Sequence, residues 1–332
     1  MIPPITGSEH RGLTICAASD ERYASGLRVA LFSALEALNG AARVIILDAG
    51  LRDPHGWTRA LSTHPRCGDC DVVSVDVGRF RTLPCQDRFG PASWLRLFLP
   101  DLLSNVDRLI YLDADVLVRA DLGALWTESS GGAAISAVRD YLFPTFSTGL
   151  PHAVSALGVE PDTPYFNAGV LLLDLAAWRR DLLTERAIDF VRIHGDTVRF
   201  ADQDALNAVT AGLVHELDPR WNVQLGMGSA RAVLEHLRTP DELFTGAGTL
   251  RARAAIIHFT AFKPWQAEGL RASRWSIGLH FAFARLNVRF ATRSRMHLLA
   301  AAALWGARFS YRVPRALRRR IPGSRWADRR PR

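Results

Sequence analysis

Apolar residues recur along this chain in two alternating rhythms, and the alternation predicts the architecture. Short runs at residues 13–18, 44–47, 72–77, 109–112, 133–138, 170–173, 215–217 and 254–257, most of them densely apolar, read as strands, several of them buried on both faces. Between them the spacing switches to that of a helix. Residues 23–38 repeat Leu27, Ala30, Leu31, Ala34 and Leu38 on one face, with Ser19-Asp20-Glu21 to cap the start and Asn39-Gly40 to stop the end. Further helices are predicted around 57–61, over 93–99, over 174–190 and from Ala201, where Asp202 is the expected N-cap. Strands alternating with helices predict a mostly parallel central sheet flanked by helices, with right-handed crossovers. Residues 141–162 break the rhythm with scattered Pro, Gly, Ser and His, so a loop-rich insertion is expected there.

The polar residues that matter stand where apolar runs end. Residues 109–112 run directly into Asp113-Ala114-Asp115. Along an extended chain, positions i and i+2 lie on one side, so both carboxylates can face one point. Two anions that close repel unless a cation lies between them or one stays protonated. Oxygen ligands suit a hard divalent ion such as Mg2+ or Mn2+, and open α/β sheets bind ligands at the carboxyl ends of their strands. The bland alternative is a pair of Asp residues ending a strand in a turn. Other polar residues fall at similar ends: Asn167, Asp202, Gln203, His258 and Lys263. Together they suit cleavage of a bond to a metal-bound diphosphate, with Lys263 and an ion opposing the charge on the leaving group. His258 alone is a weak signal. Arg96, set among apolar neighbours, either snorkels to solvent or is aimed at an anion. Ala18-Ser19-Asp20 and Tyr23 either cap a helix or hold part of a nucleotide, with Asp20 accepting from a base or ribose and Tyr23 stacking on a ring.

Composition changes this picture in three places. The net charge of +8 is an average over two unlike parts. Residues 285–332 hold fourteen Arg and one acid, Asp328, and the remainder has 27 basic against 32 acidic side chains, a net −5. Lys263 is the single lysine in the chain. Cys67 and Cys70 have the spacing of half a zinc site, but no second pair follows; Cys16 and Cys85 are poor substitutes. Residues 1–12 carry Pro3, Pro4 and Glu9 and lack the apolar core of a secretion signal, and no apolar run approaches the ~18 residues of a membrane span. A cytoplasmic location is the resulting expectation.

Four segments, YLDADVLV at 111–118, FNAGVLLLDLAAWR at 166–179, DQDALN at 202–207 and HFTAFKPW at 258–265, occur in an order that resembles the retaining family 8 glycosyltransferases. Within that family it looks like the bacterial lipopolysaccharide galactosyltransferase-like and glucosyltransferase-like members. AASDERYASGL at 17–27 and WLRL at 94–97 agree more loosely. The resemblance implies a GT-A type catalytic domain over 13–270, preceded by an extension (1–12) and followed by a basic amphipathic region (271–332). It implies a UDP-sugar donor and a saccharide or lipid-linked acceptor, in cell-envelope glycan synthesis. Asp113, Asp115 and His258 then resemble Mn2+ ligands, with Mg2+ as the other candidate. Ala18, Asp20 and Tyr23 resemble uridine contacts, with Ala114 in the same donor-binding set. Arg96, Asn167, Ala168, Asp140 and Asp202 resemble the donor-sugar surroundings, Gln203 the residue on the sugar's β face, and Lys263 the diphosphate contact. The family usually has Gly where this chain has Ala261, and other residues where it has Ser19 and Arg22.

The mechanism is open at this point between a carboxylate nucleophile and a front-face route in which Gln203 stabilises an oxocarbenium-like state. The region 285–332 interleaves Arg with Leu, Phe and Trp, which suits an anionic membrane surface, with a basic helix packed on the body next and a nucleic-acid arm last. The competing functional readings are a non-catalytic nucleotide-sugar-binding or membrane-associated scaffold, and another nucleotide-dependent transferase. The glycine-rich basic loop usual in nucleotidyltransferases is missing near the first strand.

Overall fold

A computed structural model describes residues 12–80, 82–83, 91–225, 253–260 and 263. Its strands are β1 (Thr14–Ser19), β2 (Ala42–Asp48), β3 (Cys67–Ser74), β4 (Arg108–Leu112), β5 (Val116–Val118), β6 (Ile135–Arg139), β7 (Phe166–Asp174), β8 (His215–Glu216), β9 (Val223–Gln224) and β10 (Ile256–His258). The α-helices are α1 (Ala24–Ala37), α2 (Pro54–Ser62), α3 (Leu99–Leu102), α4 (Leu122–Trp126), α5 (Phe146–Gly149), α6 (Pro151–Leu157), α7 (Leu175–Arg180), α8 (Leu183–His194) and α9 (Asp202–Val209).

The large sheet has the order β3-β2-β1-β4-β7-β6-β8. Neighbours pair in parallel except β7, which runs antiparallel to both β4 and β6. That reversal was not visible in the apolar pattern, because a strand buried on both faces has the same composition in either direction. Alternate residues of β4 feed two separate cores. Leu109 and Tyr111 pack with Trp94, Trp178 and Phe190, while Ile110 and Leu112 pack with Leu27, Leu31 and Trp57. Each fully buried aliphatic side chain contributes about 1.5–3 kcal/mol, so covering both faces anchors the central strands firmly. A second small sheet, β5-β10-β9, stands beyond the end of β4.

Three predicted segments are more finely divided than the periodicity suggested. The helix expected over 174–190 is α7 and α8, broken at Leu182 with φ of 51°. Arg179 donates to the carbonyls of Leu103 and Val106 at 2.8 Å each, and Trp178 Nε1 donates to Thr184 Oγ1 at 3.0 Å across the break. The insertion at 141–162 contains α5 and α6, and α6 stops at Gly158, whose φ is 63°. The segment expected as a helix over 93–99 is a 3-10 helix, Pro91–Phe98, continuing into α3. Residues 285–332, Ala261, Cys85 and Trp265 lie outside the described residues. Among the described residues no helix is long and apolar enough to cross a membrane.

Candidate metal and donor site

Asp113 and Asp115 do not lie along an extended strand; residues 113–115 form the turn between β4 and β5. Backbone bonds fix that turn from both sides. Asp113 N donates to the Gly169 carbonyl at 2.8 Å, and Phe259 N donates to the Asp115 carbonyl at 2.9 Å. Because β10 pairs antiparallel with β5, with His258 opposite Val116, the imidazole is delivered beside Asp115. One ligand atom each of Asp113, Asp115 and His258 falls within 4.8 Å of the others. His258 Nε2 is 3.2 Å from Asp115 Oδ1 and 3.8 Å from Asp113 Oδ2.

Asn222 decides which imidazole nitrogen faces the carboxylates. Its Nδ2 donates to Asn167 Oδ1 at 2.8 Å, which turns its Oδ1 toward His258 Nδ1 at 3.0 Å. A carbonyl oxygen only accepts, so the network assigns the proton to Nδ1 and leaves the Nε2 lone pair on the carboxylate side. Two carboxylates and an imidazole so arranged fit a divalent ion. Gly169 is part of the same packing: its backbone passes so close to His258 and Asp113 that a side chain has no space.

Two cations flank the carboxylates. Arg96 is 6% exposed, so it does not snorkel. Its Nη2 donates to Asp113 Oδ1 at 2.6 Å, and its Nη1 donates to the Ala168 carbonyl and lies 3.2 Å from Asp202 Oδ2. Its guanidinium carbon stands 4.4 Å over the Tyr111 ring. Lys263 donates to Asp115 Oδ2 and, at 2.6 Å, to the Phe259 carbonyl. Burial works against the charge on Asp115, yet Lys263 and His258 outweigh it and hold this carboxyl well below the usual carboxylate range. Burial likewise opposes the charge on Lys263, but Asp115 raises its ammonium above the ordinary value. Asp202 goes the other way: burial pushes it up, Arg96 opposes and Asp113 adds to the rise, leaving it at about 7.

A second hydrogen-bond network, centred on Asp140, adjoins this one. Asp140 Oδ2 accepts from Asn167 Nδ2 at 3.1 Å and Gln203 Nε2 at 3.2 Å, while Asp140 Oδ1 accepts from the backbone of Leu142 and Phe143. Gln203 Oε1 accepts from Ala168 N at 3.1 Å. The expected cap role of Asp202 is not what the structure has. Ala201 occupies the N-cap with no side-chain bond, and Asp202 is the first helical residue, turned toward Arg96. A buried cation outcompetes a backbone N–H for a buried carboxylate, and this decides the side chain's direction.

At the end of β1, Asp20 caps the 3-10 helix Glu21–Tyr23, accepting from Arg22 N at 2.9 Å and Tyr23 N at 3.3 Å. Ala18 is half-buried near the end of β1. Burial raises the Tyr23 hydroxyl, and Lys263 and Asp115 both act on it, so Tyr23 belongs to the same electrostatic neighbourhood. The Ala114 side chain instead packs into the core with Ile110 and Leu112, leaving only its backbone for a ligand. Cys67 and Cys70 are free thiols on β3, and among the described residues they join no cluster of three metal-ligand side chains.

Most of the candidate residues named from the sequence therefore meet in one continuous set. Asn222 and Gly169 were missed as participants. Gly169 lay inside a quoted motif, but only the approach of β10 gives it a purpose. Nothing in the sequence around Asn222 marks it, since its role depends on two partners from β7 and β10.

Known proteins share this arrangement of elements. The galactosyltransferase LgtC, solved in complex with donor and acceptor sugar analogs, superposes with a TM-score of 0.67 at 27% identity, covering 83% of this chain and 95% of that chain. General stress protein A of Bacillus subtilis (strain 168) is 28% identical over 265 residues, 76% of this chain and 87% of that protein. Lipopolysaccharide 1,2-glucosyltransferase of Escherichia coli (strain K12) is 31% identical over 198 residues, 58% of this chain and 55% of that protein. The model of glycosyl transferase family 8 matches residues 14–269, which spans the strands of both sheets, and the chain belongs to that family.

Proposed function

We propose that this glycosyltransferase moves a hexose, with retention, from a UDP-sugar to a hydroxyl of a saccharide or lipid-linked glycan, using a divalent ion held by Asp113, Asp115 and His258. The observation that carries the reading is the convergence of those three ligands with the imidazole tautomer set by Asn222. Two carboxylates and one imidazole suit Mn2+, with Mg2+ as the alternative, and three protein ligands leave positions open for phosphate oxygens. When bound, the ion supplies positive charge where a diphosphate departs.

The chain's own residues do the remaining work. Lys263 adds a second, largely buried cation at the same place. Arg96 orients Asp113 and Asp202 and neutralises their repulsion. Ala18, Asp20, Tyr23 and the Ala114 backbone receive the uridine. Asn167, Ala168, Asp140, Asp202 and Gln203 surround the donor sugar. Asp140 already accepts four hydrogen bonds and Asp202 is ion-paired with Arg96, so neither is a free nucleophile. An amide is a poor nucleophile too. A front-face route, with Gln203 stabilising positive charge on the sugar and the leaving phosphate taking the acceptor proton, is the reading these contacts support best.

The catalytic unit on this reading is 13–270, with 1–12 an extension and 271–332 a basic amphipathic region. Residues 285–332 bring the enzyme to the anionic inner face of the cell membrane, where a lipid-linked acceptor for envelope glycan would be met, and nucleic acid is not a partner. The test is a UDP-release screen across UDP-sugars with Mn2+. Release with at least one sugar, abolished by chelation and restored by Mn2+, supports the proposal; no release with any sugar, with or without membrane extract, overturns it.

A further inference from the structure

Gln203 is held by more than its contacts to Asp140 and Ala168. Its Nε2 also donates to the Tyr165 hydroxyl at 3.3 Å. Tyr165 in turn donates to Asp204 Oδ1, and Asp204 Oδ2 accepts from the backbone of Arg199 at 2.6 Å and of Phe200 at 2.9 Å. Tyr165 and Asp204 are fully buried. The two were not singled out by the sequence reading, although Asp204 lies inside DQDALN.

The backbone beneath this chain of bonds is strained. Ala201, between Phe200 and Asp202, has φ of 49° and ψ of −120°, a conformation that residues with a β-carbon rarely adopt. It persists because the surrounding bonds over-determine it. Asp204 draws the amides of Arg199 and Phe200 inward from one side, and Arg96 holds Asp202 from the other. Asn207, one helical turn beyond Gln203, accepts from Phe166 N at 2.7 Å and donates to the carbonyls of Phe166 and Gln203 at 2.9 Å. The start of α9 is thereby bolted to the start of β7, where Tyr165 sits. Arg199 extends the link outward: it stacks on Phe143 and Phe200 and donates to the Thr148 carbonyl at 3.0 Å in the insertion.

We infer that Tyr165 and Asp204 are positioning residues that set the orientation of the Gln203 amide. Tyr165 has one proton to give, and it goes to Asp204; the hydroxyl oxygen is thus left as an acceptor facing Gln203. An acceptor there, and a second in Asp140, specify that the NH2 end of Gln203 points to them and its carbonyl points to Ala168. Without Tyr165–Asp204 one of the two determinants is lost. Asp204 acts through Tyr165 and does not itself meet the sugar. The inference deepens the assignment of Gln203 to the donor-sugar site and rests on it for its kinetic part.

The decisive variant is Tyr165→Phe, which keeps the ring packed against Phe146 and removes only the hydroxyl. In the full chain with Mn2+ and the donor that releases UDP, we expect kcat to fall about tenfold with the donor KM unchanged, as for loss of one buried hydrogen bond felt in the transition state. In a Gln203→Ala background the same change should alter kcat by less than about twofold, because its target is gone. Equal losses in both backgrounds would show a merely structural role and overturn the inference, as would no loss in the parent. If Gln203→Ala itself leaves kcat intact, the donor-site assignment fails instead. The inference is then decided by selective 15N-glutamine labelling of the metal-free protein. A shift of the Gln203 side-chain amide resonances in Tyr165→Phe and in Asp204→Asn is expected, and unshifted resonances overturn it.

Discussion

A β-carbon on Gly169 would lie 2.1 Å from His258 Cε1, 2.7 Å from its Nδ1 and 2.9 Å from Asp113 Oδ2. Nothing there is the loose end of a flexible chain, since His258 is pinned by Asn222 and by the β10 pairing. Gly169→Ala is therefore expected to displace the imidazole and lower Mn2+ affinity at least about tenfold, with calorimetric titration of the metal as the check. Asp115→Asn should go further and abolish metal-dependent UDP release while leaving the circular dichroism spectrum unchanged; near-parental turnover would sink the metal assignment. Lys263→Ala should slow release by about 10²–10³-fold, as for removal of one preorganised charge at a departing anion, and Lys263→Arg should restore it only in part. Asp202 gives a prediction in pH. Its folded-state value of about 7 lies above the ordinary carboxyl value of 3.8, so its contribution to stability is complete below about pH 4 and is lost as pH rises through about 7. Asp202→Asn has no proton to lose. In urea melts with chelator, the variant should gain on the parent by up to a few kcal/mol between about pH 4 and pH 7, whereas parallel curves would show that the carboxyl titrates normally.

At the scale of elements, the break between α7 and α8 and the approach to α9 are both made by residues with positive φ, but they differ in kind. Leu182 is 56% exposed, and its strained backbone touches nothing in the site. Replacing it by Gly should stabilise the protein by about 0.5–1 kcal/mol with activity unchanged, measured by thermal melting and UDP release. Ala201, with ψ of −120°, lies outside the left-handed helical region that Leu182 occupies, immediately before Asp202 and Gln203, where it aims both side chains. Relief there is expected to free the turn and cost activity. The antiparallel β7 is the other decisive element. Running against β4, it brings Asn167, Ala168 and Gly169 to the end where β4 delivers Asp113; a parallel strand would leave them at the opposite edge of the sheet.

For the whole molecule, charge is divided between a body at −5 and residues 285–332 at +13. Each basic side chain near an anionic leaflet contributes about 1 kcal/mol within a Debye length. Full-length protein is expected to co-sediment with anionic vesicles at low salt, and a chain ending at residue 284 is expected not to, while still releasing UDP slowly. Full-length protein left in the supernatant would remove the membrane reading; a truncated chain that fails to fold would show that these residues belong to the body.

The sequence by itself determined the class of the sheet, most of its strands and the candidate metal-ligand residues that the structure brings together, because apolar periodicity and ordered motifs are local properties. It also indicated that Asp113-Ala114-Asp115 ends a buried strand, since the dense apolar run at 109–112 leads into it. Strand direction, the division of α7 from α8 and the true partner of Asp202 were decided only by the tertiary structure. Each depends on which distant group arrives: β4 and β6 on either side of β7, Arg179 beneath the break, Arg96 beside Asp202. The same holds for Asn222, Gly169, Tyr165 and Asp204. A side chain's hydrogen-bond capacity is written in the sequence, but which of several possible partners takes it up is settled by packing.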